Sequence, residues 1–308
     1  MSARVDWLAR RAELTGGRVA LVEARTGRRV TYRAWNEQVL RTARLLFALG
    51  VRQGDRVGVL AHNGIDYLDL LFACDKLGAI VQNLNWRLTA AEIAPLLEAT
   101  QPRVLAYGEA LAAIVDELER RSSPVGAYLA LGAPAAPHHT GLGARNAHDA
   151  LPLPVGDRSA EDPWLVCYTG GSTGTPKGAV LSQATVTWNA INTLVGWGLR
   201  DDDVAVLAAP LFHAGGLNVF TLPLVYCGGT SIVCERFDPD SVFDLVASRG
   251  ATLLFGVPTM FSMLVDHPRW PSADLSSLRI CISAVRLRPP SSSSGSGRRA
   301  CRSRPATA

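Results

Sequence analysis

Between Tyr168 and Gly178 the chain reads Tyr-Thr-Gly-Gly-Ser-Thr-Gly-Thr-Pro-Lys-Gly, entered from the apolar run Trp164-Leu165-Val166-Cys167. These residue types suit a polyphosphate. Gly170, Gly171, Gly174 and Gly178 free the backbone to bring N–H groups close to an anion. Thr169, Ser172, Thr173 and Thr175 add hydroxyl donors, and Lys177 adds a positive charge for phosphate oxygens. The pattern is not the Gly-x-x-x-x-Gly-Lys-Ser/Thr loop of nucleoside triphosphatases, which needs lysine directly after the second glycine and a helix starting there. Here Thr175-Pro176 follows Gly174, and Ala179-Val180-Leu181 reads as a second short strand. The bland alternative is a glycine-rich surface turn without a ligand, and the length of the pattern weighs against it.

A second group of residues could line a substrate pocket. Pro210-Leu211-Phe212-His213-Ala214-Gly215-Gly216-Leu217 follows an apolar strand and sets one histidine and two glycines in a loop. Alone, His213 reads more readily as a buried imidazole satisfied by a carbonyl; the loop at Thr169–Lys177 reverses that preference. Val257-Pro258-Thr259-Met260 ends another strand and can supply apolar wall without chemistry. No serine, cysteine or histidine triad for nucleophilic catalysis is evident.

The elements that position these residues alternate between helix and strand signals, which predicts a mixed α/β fold with largely parallel sheets flanked by helices. Helices are expected at residues 33–49, from 63 to about 78, 90–99, 109–121, 183–195, 217–227 and 239–249. Thr89 is expected to cap the third of them. Strands are expected at 56–60, 79–81, 104–107, 128–131, 204–209, 230–234, 252–255 and 278–283. Residues 132–163 shift to Ala, Pro, Gly and His, which predicts a loop with His138, His139 and His148 in solvent. A metal role for that trio would need acidic or cysteine partners, and none stands at usable spacing, so no metal site is expected. The division expected is a first α/β subdomain over 1–160, a second over 161–283 and a tail over 284–308.

Composition narrows the class further. With 308 residues, 48% hydrophobic and 19% charged, the chain is expected to be globular. Its opening residues lack the apolar core of a secretory signal, which predicts a cytoplasmic protein. Residues 214–234 carry no charge, but Pro223 and Gly228-Gly229 argue for a buried helix, a turn and a strand rather than a membrane span. The six cysteines show no Cys-x-x-Cys spacing and read as buried thiols. The net charge of +4 includes six arginines after Ala284, so the body is mildly acidic and offers no groove for a nucleic acid.

The loop at Thr169–Gly178 resembles the signature Thr-Ser-Gly-Ser/Thr-Thr-Gly-x-Pro-Lys-Gly of the AMP-forming acyl-CoA synthetases, adenylation domains and luciferases, with Gly170 in place of the usual Ser. The segment around His213 resembles the superfamily's Pro-x-Phe-His-x-x-Gly, and Asn83-Leu84-Asn85-Trp86-Arg87-Leu88-Thr89 resembles its Leu-Asn-x-Arg-Leu-Thr, a structural support. The likeness extends from Tyr32 to about Ser283. It implies the large N-terminal domain of an adenylate-forming enzyme that uses ATP, Mg²⁺ and coenzyme A to activate a carboxylic acid, with a fatty acid expected. It implies Lys177 and His213 as catalytic residues, and Thr169, Gly170, Gly171, Ser172, Thr173, Gly174, Thr175 and Lys177 as the nucleotide-binding set. His213, Gly215, Gly216, Val257 and Pro258 would line the acyl side.

Two further readings stand beside this one. A noncatalytic nucleotide- or acyl-binding remnant would bind without turnover. An amino-acid adenylation domain would want an aspartate after the phenylalanine of this segment, where Phe212 is instead followed by His213. The resemblance ends at Leu278–Ser283, after which Ala284-Val285-Arg286 replaces the family's adenine-binding Gly-Gly-Ala-Pro and a Ser/Arg/Pro-rich tail follows. The expectation is a truncated domain without full activity, prone to aggregate, whose tail over 284–308 is disordered and read out of frame.

Overall fold

A computed structural model describes residues 4–153, 155–169 and 176–284. The first part of the chain forms α1 (Trp7–Thr15), β1 (Val19–Glu23), β2 (Arg29–Thr31), α2 (Tyr32–Ala48), β3 (Arg56–Leu60), α3 (Ile65–Leu77) and β4 (Ile80–Asn83). There follow α4 (Ala90–Thr100), β5 (Val104–Tyr107), α5 (Ala112–Arg120), β6 (Ala127–Ala130) and the short β7 (Thr140–Gly141). The remainder runs β8 (Pro163–Thr169), β9 (Lys177–Ser182), α6 (Gln183–Trp197), β10 (Val204–Leu207), α7 (Ala214–Gly216), α8 (Leu222–Cys227) and β11 (Thr230–Val233). It closes with α9 (Pro239–Arg249), β12 (Leu253–Gly256), α10 (Pro258–Val265) and β13 (Ile280–Ser283).

Local chemistry explains several of these boundaries. Thr31 begins α2 by accepting from the Ala34 N–H, and Trp35, Val39, Ala43 and Leu46 then recur on the buried face. Thr89 caps α4 as expected, and Glu92 answers it to complete a reciprocal capping box. Gly78, Gly198, Gly228 and Gly250 end their helices in the left-handed conformation that glycine adopts without penalty. Helix 217–227 is not one regular α-helix: Leu217–Thr221 is a π segment leading into α8. Pro223 supplies no N–H, and the Thr221 hydroxyl donates to Gly216 O at 2.6 Å, so the turn widens there.

The described strands form two sheets, ordered β13-β12-β10-β11-β1-β2 and β7-β6-β5-β3-β4-β8-β9. All pairings are parallel except β1–β2 and β8–β9. Strands from both sides of residue 160 occur in each sheet: β1 and β2 join β10–β13, and β8 and β9 join β3–β7. Alternation along the strands divides the core. Ala205 and Leu207 of β10 and Val57 and Val59 of β3 enter one large core with α1–α3, α6 and α8. Val206 faces a second core with α9 and α10, and Leu105 and Tyr107 face a third with α4 and α5. The sheets thus face each other across shared helices, each covered again on its far side. Among the described residues no helix is long and apolar enough to cross a membrane.

An ion pair between the partly exposed Arg279 and a buried carboxylate ties the edge of the first sheet. The Asp203 carboxylate, 2% exposed, accepts from Arg279 Nη2 at 2.5 Å, from Thr252 Oγ1 at 2.7 Å and from the Arg200 N–H at 2.7 Å. Arg279→Met leaves that carboxylate buried with its neutral donors alone, and is expected to cost about 2–3 kcal/mol. Urea unfolding of the two proteins measures this; an unshifted midpoint would refute it.

The stretch 132–163 is less plain than its composition predicts. Thr140–Gly141 adds a strand to β6, and Leu142–Ala147 forms a 3₁₀ turn whose Arg145 reaches the buried Asp69 at 2.7 Å. His138 is exposed as expected, but His139 is buried, stacked on Tyr128 and bonded to Tyr107. An acidic partner also exists: α5 brings Glu119 within hydrogen-bond distance of both imidazoles. Spacing along the chain could not reveal it, because β6 lies between.

Candidate active site

Thr169 and Lys177 are cross-strand partners at the loop end of the β8–β9 hairpin, and the Thr169 hydroxyl donates to Lys177 O at 3.3 Å. Both side chains are exposed. The connection between them, Gly170, Gly171, Ser172, Thr173, Gly174 and Thr175, lies outside the described residues. Gly178 is also fixed by packing. It pairs with Tyr168 in the ladder, where an added Cβ would stand 2.9 Å from Val166 Cγ1.

The hairpin is anchored from β4. Asn83 Nδ2 donates to Val166 O at 3.1 Å, the Tyr67 hydroxyl donates to Asn83 Oδ1 at 2.6 Å, and Gln82 Nε2 donates to the Tyr168 hydroxyl at 2.8 Å. These bonds fix the strand that enters the glycine-rich segment. Cys167 sits on the same strand, and burial pushes its thiol up to about 11, so it holds no thiolate at neutral pH.

His213 stands beyond the carboxyl end of β10 in the other sheet, at the N-cap of α7. Its loop is held by Asn63, which follows β3. Asn63 Nδ2 donates to Ala209 O at 2.9 Å and Asn63 Oδ1 accepts from the Leu211 N–H at 2.9 Å. Trp86 meets Phe212 edge-on with ring centroids 6.3 Å apart, and the Arg87 guanidinium lies 4.1 Å from the Trp86 ring. The His213 ring tilts against Phe212 at 4.4 Å. Partial burial, and then the Arg87 charge, hold its imidazole below the ordinary value, which favours the neutral ring, one nitrogen a donor and the other an acceptor.

Gly215 and Gly216 are required by contact rather than by backbone angle. A Cβ on Gly215 would lie 2.9 Å from Phe255 Cζ, and one on Gly216 would lie 2.1 Å from Pro210 O. Phe255 belongs to β12, whose end passes through Gly256 into the exposed Val257 and into Pro258, the first residue of α10. His213, Gly215, Gly216, Val257 and Pro258 therefore gather at the carboxyl ends of β10 and β12, the edge where open α/β sheets take ligands. A cavity of about 10 Å³ between Gly216, Phe220 and Phe255 has room for a single water.

No hydrogen bond or ring contact among the described residues joins Thr169 or Lys177 directly to His213. The segment Asn83–Arg87 bridges them instead, with Asn83 on β8 and Trp86 and Arg87 on Phe212. That agrees with the structural role expected for it. Asn63 was not legible as a site residue, since Asn63-Gly64 reads only as a helix start; its position after β3, on the same sheet edge, is the signal that could have marked it.

Parallel sheets flanked by helices, a glycine-hydroxyl hairpin and a histidine loop at strand carboxyl ends define an adenylate-forming domain. The chain belongs to the AMP-binding enzyme family, whose pattern matches residues 8–295. It is 42% identical over 276 residues to a feruloyl-CoA synthase of an Amycolatopsis species, covering 89% of this chain and 52% of that protein. It is 37% identical over 282 residues to an indoleacetate–CoA ligase of Aromatoleum aromaticum, covering 89% of this chain and 53% of the relative. In structure it is similar to ATP-bound MatB from Rhodopseudomonas palustris, with a TM-score of 0.79 and 26% identity, covering 90% of this chain and 54% of that one. The chain spans about half the length of the curated relatives it matches.

Proposed function

We propose that this chain carries the ATP- and acid-binding part of an AMP-forming acyl-CoA ligase, and that its acid is aromatic rather than a fatty acid. The observation that carries the reading is the β8–β9 hairpin, which presents Thr169 and Lys177 side by side at the two ends of the glycine- and hydroxyl-rich segment. The substrate class rests on the two relatives above, one named for feruloyl-CoA and the other for indoleacetate, both aromatic acids.

In the reaction, a carboxylate oxygen attacks the α-phosphorus of ATP, pyrophosphate leaves, and the acyl-adenylate passes its acyl group to the thiol of coenzyme A with release of AMP. The protein's contribution is alignment and charge stabilisation. Backbone N–H groups and hydroxyls of residues 169–175 hold the phosphates, and Lys177 offsets charge on the departing pyrophosphate. A bound Mg²⁺ would neutralise phosphate charge. Neutral His213 orients the carboxylate by donating its ring N–H to one oxygen, while Val257, Pro258 and the glycines at 215 and 216 bound the space beside it.

Pyrophosphate release by the purified chain, with ATP and a panel of ferulate, indoleacetate, a long-chain fatty acid and amino acids, tests the proposal. Release with the aromatic acids is the expected result. Release with the fatty acid alone would restore that substrate class, and release with amino acids alone would favour an amino-acid adenylation domain. ATP binding without release from any acid would identify a noncatalytic remnant.

A further inference from the structure

We propose that Glu119, His138 and His139 form a binding site for a divalent transition-metal ion such as Zn²⁺, separate from the adenylate-forming site. One carboxylate oxygen, Glu119 Oε1, lies 2.8 Å from His138 Nε2 and 3.1 Å from His139 Nε2. The ligating atoms of all three residues lie within 4.8 Å of one another. Ligands bound to a tetrahedral ion at about 2.0–2.1 Å stand roughly 3.3 Å apart. Lengthening the two Glu119 Oε1 contacts by a few tenths of an ångström admits an ion, once the exposed His138 side chain sets its ligating nitrogen, now within 4.8 Å of that of His139, at the same spacing.

The site is also supported from behind. The His139 side chain is fully buried, its ring is stacked on Tyr128 with centroids 4.8 Å apart, and its Nδ1 lies 2.7 Å from the Tyr107 hydroxyl. That hydroxyl accepts from the Ala135 N–H at 2.8 Å. With Nδ1–H donating to Tyr107, Nε2 presents its lone pair toward Glu119, which is the arrangement outer-shell partners impose on metal-bound imidazoles. Among the described residues Glu119 pairs with the two imidazoles alone, so no arginine or lysine competes for its charge.

Two imidazole nitrogens and one carboxylate oxygen favour Zn²⁺, Ni²⁺ or Cu²⁺ over Mg²⁺ and Ca²⁺, which prefer oxygen donors. Three protein ligands leave a coordination position open to solvent beside His138. The ion would tie the last turn of α5 to the chain between β6 and β7, on the far side of the second sheet from the shared core.

The test is calorimetric titration of Zn²⁺, with Mg²⁺ in parallel, into the untagged, chelator-stripped 308-residue chain, its His138→Ala variant and its Tyr107→Phe variant. Expected are one equivalent of Zn²⁺ on the wild type and no Mg²⁺ binding. His138→Ala is expected to bind at least ten-fold more weakly, and Tyr107→Phe about 10–100-fold more weakly. His138 is exposed, so its loss leaves the fold intact, as circular dichroism would verify. Absence of zinc uptake by the wild type, meaning that protons alone hold the cluster, would overturn the proposal. So would a His138→Ala variant that binds zinc as tightly as the wild type, which would put the ion elsewhere.

Discussion

Lys177→Met is expected to lower ATP-dependent pyrophosphate release by about 10²–10³-fold, the range seen when one preorganised charge-stabilising donor is removed. Lys177 begins β9, is exposed, and forms no ion pair among the described residues. Its ammonium is therefore not committed to holding the fold. The methylene stem of methionine keeps the strand's packing, and the Thr169–Lys177 rung uses backbone and hydroxyl groups that survive the change. Unfolding should accordingly be unaltered while activity collapses. If the chain binds ATP without turnover, the same substitution is expected to weaken ATP about ten-fold, the loss of one charge-assisted hydrogen bond. Unimpaired release and unimpaired ATP affinity would together remove Lys177 from the proposed mechanism.

Gly216→Ala is expected to destabilise the protein by about 3 kcal/mol, at the upper end of overpacking costs. The added methyl would meet main chain, Pro210 O at 2.1 Å and Pro210 C at 2.7 Å, and main chain cannot rotate aside as a flexible side chain can. Relief requires the Pro210–Gly216 turn to move, but Asn63 clamps its start through Ala209 and Leu211. The strain therefore falls on His213 as well as on stability. Gly215→Ala offers the comparison: its obstacle is the edge of the Phe255 ring at 2.9 Å, which can tilt. Thermal unfolding should place Gly216→Ala well below Gly215→Ala, and equal melting temperatures would contradict the argument.

Much of the fold was legible from local rules. The strands at 56–60 and 104–107 coincide with β3 and β5, and Thr89 caps α4 as expected. Periodicity and capping are local, so a single chain carries them. What stayed hidden depends on neighbours distant in sequence. His139 reads as solvent-exposed until β5, β6 and α5 deliver Tyr107, Tyr128 and Glu119 around it. Asn63 reads as a helix start until the chain 146 residues later returns Ala209 to its amide. That Gly178 must also leave room for Val166 across the ladder could not be read from its loop. The candidate site was legible in its chemistry, because hydroxyls, glycines and a lysine were written in one continuous segment. Its scaffold was not, because Asn63 and the Asn83–Arg87 bridge act across two sheets.

The place of β1 in its sheet has a temporal consequence. Leu21 pairs with Ser231 of β11, a strand made roughly 200 residues later. At a synthesis rate of about 5–20 residues per second, β1 leaves the ribosome some 10–40 s before its parallel partner exists. Throughout that interval Val19–Glu23 can pair only with β2, a hairpin too small to persist in water. The nascent chain must therefore carry an unsatisfied apolar strand while about 200 further residues are made, a natural binding target for a chaperone.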